Sequence, residues 1–85
     1  MSKVVEWNRE RKKLKVIYEH KGIVICELRF PGCWVDNALS FCHRYKRRDP
    51  RCEHTFSGTV LGCIPCHSIL EYDRELTERI FKKLR

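Results

Sequence analysis

The sequence predicts a small α+β domain whose core needs a staple. Three observations lead there. The chain has 85 residues, and a domain of that size removes only about 60–65% of its unfolded surface from water, which leaves a marginal core. Six residues are cysteines, at positions 26, 33, 42, 52, 63 and 66. Apolar spacing of helical period marks both ends of the chain, with short β-branched and apolar runs between them.

Taken in order, residues 3–20 read as a helix. Val4, Trp7, Leu14, Ile17 and Tyr18 fall near one stripe, and Arg9, Arg11, Lys12, Lys13 and Lys15 crowd the remainder. Ser2 is the expected N-cap and Gly22 the expected stop. The run IVICEL at 23–28 reads as a short strand. Pro31-Gly32 then marks a turn, so Cys26 and Cys33 flank it. A second strand is expected at 38–43 (ALSFCH) and a returning one at 59–62 (TVLG), joined by the polar loop at 45–58. Pro65 suits the first turn of a following helix. Asp73 suits the N-cap of a last helix over 73–84, striped by Leu76, Ile80, Phe81 and Leu84. No repeat or linker interrupts the chain, so residues 1–85 are expected to form one domain.

The string Gly62-Cys63-Ile64-Pro65-Cys66-His67 has three chemical readings: c-type haem attachment, a redox dithiol, or a zinc knuckle. Haem fits poorly, because the N-terminal stretch has no export-signal core and the one methionine is Met1. A redox dithiol expects a βαβ unit after it, whereas the residues after Cys66 read as helix. A zinc deaminase would need His-x-Glu followed by Pro-Cys-x-x-Cys, which is absent. Zinc remains, in a reducing cytoplasm where clustered cysteines hold metal rather than each other. Cys63 and Cys66 supply one pair, and Cys26 with Cys33 is the preferred second pair. Cys42, Cys52 and His54 stand as the alternative, with Cys52-Glu53-His54 a possible ligand turn.

The balance of charge is basic: 18 Lys and Arg against 11 Asp and Glu give +7. Four thiolates around Zn2+ would lower this to about +5. A polyanion, most often nucleic acid, is the partner class such a balance implies. Five cations fall within eight positions, at Arg44, Lys46, Arg47, Arg48 and Arg51, which points to a track for phosphates. No apolar run approaches membrane-spanning length.

The pieces ICELRFPGC, LSFCHRYKRR and TVLGCIPCHSILE, within 22–72, together resemble the zinc-containing branch of the HNH endonucleases, the ββα-metal nucleases. The resemblance implies a zinc-stapled ββα-metal core over about 22–72, flanked by the N- and C-terminal helices. It implies a protein of the kind phages encode that binds duplex DNA and nicks or cleaves it by metal-dependent phosphodiester hydrolysis, in the cytoplasm that the absence of an export-signal core already leads one to expect. By position, His43 matches the general base, and His67 and Glu71 match ligands of an active-site Mg2+, Mn2+, Ni2+ or second Zn2+. Two positions depart from the pattern. Cys42 stands before the base, where a hard ligand is usual. The loop position that normally carries an orienting Asn falls near Gly58. The alternative expectation is therefore a degenerate member, a non-enzymatic module that binds DNA or inhibits a protein.

Overall fold

The computed structural model describes residues 3–46 and 48–85, with residues 3–5 described by their backbone alone. Ser2 and Arg47, expected as a helix cap and a phosphate contact, lie outside the described residues. The elements run α1 (Lys3–His20), β1 (Leu39–His43), β2 (Thr59–Cys63), α2 (Ile64–Glu71) and α3 (Arg74–Leu84). The protein is thus a small α+β domain of three helices and one two-stranded antiparallel sheet. No described helix is long and apolar enough to cross a membrane.

Helix α1 ends as Gly22 requires. The Ile23 N–H bonds the Tyr18 carbonyl and the Gly22 N–H bonds that of Glu19, with Gly22 at φ 74°. These are the paired bonds of a left-handed glycine cap, which satisfies carbonyls that the helix leaves orphaned. Of the expected apolar stripe, Leu14 and Tyr18 are buried and Trp7 is half-buried. Ile17 is exposed, because the face α1 presents to the sheet is narrower than the sequence pattern implies.

The sheet pairs Leu39 with Cys63 at one end and His43 with Thr59 at the other. A two-stranded ribbon alone is marginal in water; here it has a core on each face. Successive residues of a strand point to opposite faces. Phe41 and Leu61 pack with Leu14 and Tyr18 of α1, while Cys42 and Val60 pack with Leu70 of α2 and Phe81 of α3. All five residues of β2 are buried.

The expected strand at 23–28 does not form. Glu27 does hydrogen-bond the free edge of β2, its N–H donating to the Leu61 carbonyl and its carboxylate accepting the Leu61 N–H, both at 2.8 Å. Cys26 instead bonds the Val35 carbonyl at 2.7 Å, which folds 23–38 back on itself as a loop. The β-branched composition of the run misled because the Cys26 side chain is drawn toward the other thiols.

Later elements follow the sequence closely. Cys63 caps α2, with Pro65 in its first turn. Asp73 caps α3 by accepting the Leu76 N–H at 3.0 Å. The buried Thr77 hydroxyl donates to the Leu70 carbonyl at the end of α2, locking the two helices together.

A buried ion pair closes the fold. The guanidinium of Arg85 grips both oxygens of Glu27, at 2.7 and 3.0 Å, with the two side chains only 7% and 12% exposed. Arg85 also donates to the carbonyls of Phe56 and Thr59 and to the Tyr18 hydroxyl. One side chain thereby joins α3, β2, α1 and the 23–38 loop. Arg85→Ala is expected to destabilise the domain by about 3–5 kcal/mol, since it leaves a buried carboxylate without its partner. Urea unfolding of the metal-loaded protein measures this; a loss below about 1 kcal/mol would mean the pair behaves as an exposed one.

Candidate metal centre and the adjoining cleft

Four thiols converge where the 23–38 loop meets the junction of β2 and α2. The sulfurs of Cys26, Cys33, Cys63 and Cys66 all lie within 4.8 Å of one another. Cys33 and Cys63 sulfurs are 3.7 Å apart. The edge of a tetrahedron with Zn–S bonds of about 2.3 Å is about 3.8 Å, so this spacing fits the donor set expected for zinc. The four cysteines could hold a metal ion such as zinc, and the preferred pairing of Cys26/Cys33 with Cys63/Cys66 is the one brought together. No disulfide joins any of the six cysteines, all of which are described.

Local chain geometry explains the convergence. The turn Phe30-Pro31-Gly32-Cys33 closes with the Cys33 N–H on the Phe30 carbonyl and Gly32 at φ 86°, as a type II turn requires. Backbone N–H groups then face the sulfurs: Trp34 donates to Cys63 and Val35 to Cys33, each at 3.3 Å. Burial pushes the Cys63 thiol up, but the N–H groups of Trp34 and Cys66 and the neighbouring thiols outweigh it and bring Cys63 down to about 6. Burial pushes the Cys33 and Cys66 thiols up. Arg29, Val35 and Ala38 take left-handed φ angles of 54°, 59° and 52°. Such backbone costs about 1 kcal/mol or more per residue, and persists where surrounding contacts over-determine it.

Cys42 plays no part in this cluster. It is 1% exposed in the core, and burial raises its thiol to about 12, which makes it a packing residue. An open cleft of about 1330 Å3 runs along β1. His43, His67 and Glu71 all border it, as do Arg44, Lys46, Arg48 and Arg51. Helix α1 adds Arg11, Lys12 and Lys15.

Within that cleft the two histidines expected to act together approach from different sides. His67 holds the Ser40 hydroxyl through Nδ1 at 3.0 Å, and Ser40 shares a strand face with Cys42. His43 shares the other face with Phe41, and its Nε2 lies 3.0 Å from Nδ1 of His54. The Trp7 ring packs on His43, with centroids 4.6 Å apart. Among the described residues, His43 is grouped with Cys52 and His54, while His67 and Glu71 fall in neither ligand group. The Cys52-Glu53-His54 spacing signals that Cys52 and His54 can act together, but not that they meet His43.

Gly58 occupies the loop position where the resemblance expects an Asn. A Cβ on Gly58 would stand 2.7 Å from the Glu53 carbonyl oxygen, so no larger side chain fits there without shifting the loop.

The basic residues divide into two kinds. Arg44 holds Glu78 through two N–H groups and Arg51 holds Asp49. Arg44, Arg51 and Arg74 also gather round the Tyr45 ring, 4.2 to 5.4 Å from its centroid. Lys46, Arg48, Arg11, Lys12 and Lys15 have no carboxylate partner among the described residues.

Comparison of the chain with protein-family models, with curated proteins and with solved structures gives no match in any of the three.

Excess chelator, or Cys26→Ser, is expected to abolish cooperative unfolding, because the 23–38 loop has little regular structure to hold it. Circular dichroism during heating checks this; an unchanged melting temperature in both cases would exclude a structural metal at the four thiols.

Proposed function

We propose that the protein is a zinc-stapled, HNH-like domain that binds duplex DNA in the cleft beside β1 and nicks it by metal-dependent phosphodiester hydrolysis. The reading is supported by a single observation: the candidate base, the candidate ligands and the basic residues border one cleft, next to four thiols that could hold zinc. Lys46 and Arg48 on one wall, with Arg11, Lys12 and Lys15 on the other, suit phosphates on a duplex backbone. His43 would accept the proton of the attacking water. His67 and Glu71, four residues apart on one face of α2, would hold a divalent ion. Such an ion supplies stabilisation of charge on the phosphate and on the leaving oxygen.

A second reading is favoured by two specific observations. Gly58 leaves no room for an orienting Asn, and Cys42 is a buried, neutral thiol rather than a ligand. On that reading the same cleft binds DNA without cutting it.

Two measurements separate these. Supercoiled plasmid incubated with the hard ions Mg2+ or Mn2+ should be nicked, and His43→Ala should remove the activity; absence of nicking with both ions would leave the non-catalytic reading. Lys46→Ala combined with Arg48→Ala should lower the log–log slope of affinity against salt by about 1.8, at about 0.9 per phosphate contact. An unchanged slope would remove these residues from the DNA interface. Arg44→Ala, by contrast, should act on stability through Glu78.

A further inference from the structure

We propose that His43, Cys52 and His54 form a second metal site, binding one zinc-class divalent ion through two imidazoles and a thiolate. The inference goes beyond DNA binding and does not rest on it. These residues sit at the opposite end of the hairpin from the four cysteines. His43 ends β1, paired with Thr59, and Cys52 and His54 come from the loop that joins the strands. Their ligand atoms lie within 4.8 Å of one another, and all three residues are half-buried.

The spacing is close to what an ion needs. His43 Nε2 and His54 Nδ1 are 3.0 Å apart. Two nitrogens bound to one tetrahedral zinc, each at about 2.0–2.1 Å, stand about 3.3 Å apart. The rings therefore part by only about 0.3 Å for an ion to replace the proton they share. Two imidazoles and a thiolate select zinc, cobalt, nickel or copper over magnesium, which prefers oxygen. Three protein ligands also leave one corner of the tetrahedron open, as in catalytic rather than closed zinc sites.

The surroundings hold these ligands in place. The Trp7 indole packs against His43, and its centroid lies 5.0 Å from that of His54. The loop is bonded internally: Asp49 to Lys46, Cys52 to Asp49 and Gly58 to Thr55. Apolar cover of this kind limits water at a metal site. An ion here takes the Nε2 atom of His43, the atom that a general base would use. The metal-loaded protein would then keep that histidine as a ligand.

The test uses the full chain, reduced and holding one zinc at the four cysteines. There are two tryptophans, so Trp34→Phe leaves Trp7 as the reporter. Added Co2+ is expected to quench Trp7 fluorescence with saturation at one equivalent. It should also give the visible absorption of tetrahedral cobalt with a single-thiolate charge-transfer band, while zinc stays at one per chain. Cys52→Ser and His54→Ala should each weaken this binding by about 100-fold or more, beyond the 10–100-fold that outer partners typically carry. Far-UV circular dichroism and the retained zinc establish that the variants are folded. If the protein takes up no cobalt, or binds it with equal affinity in both variants, the proposal is overturned and the histidines form a plain hydrogen bond.

Discussion

The convergence of four thiols on one point organises the rest of this domain. Two five-residue strands supply too little pairing to stand alone, and the 18 residues between α1 and β1 form no regular element. Drawing Cys26 and Cys33 onto Cys63 and Cys66 turns that irregular stretch into a second flank for β2. The three left-handed residues within it are tolerated on the same ground. Of the three, Val35 donates its N–H to the Cys33 sulfur.

Charge completes what the sulfurs begin. The Glu27 carboxylate substitutes for a missing neighbouring strand by taking the Leu61 N–H, and Arg85 neutralises it inside the protein. A buried pair of this sort contributes less through Coulomb attraction than through the penalty for breaking it. It ties residues distant in sequence to one register. Cys42 and Val60 on one face and Phe41 and Leu61 on the other then divide the apolar groups between two small cores.

Much of this architecture was legible in the sequence because it is locally encoded. The Gly22 stop, the Pro31-Gly32 turn, Pro65 and the Asp73 cap each act through their own few residues. The IVICEL run misread because its β propensity is real, yet its course is set by a thiol contact that periodicity does not register. The Glu27–Arg85 pair was invisible for a similar reason, since nothing in either neighbourhood announces a partner 58 residues away. At the candidate site, the thiol pairing could be read from turn-flanked spacing. The approach of His54 to His43 could not, because the long loop between β1 and β2 has no period from which to infer its path.

The length of the hairpin carries one more consequence. The four thiols gather at the Cys63 end and the two histidines at the His43 end, four residues along the strand. At about 3.4 Å per residue this is a separation of about 13–14 Å. The two clusters share no ligand residue, so the histidine end can exchange its occupant without removing any thiol from the cluster at the other end of the hairpin.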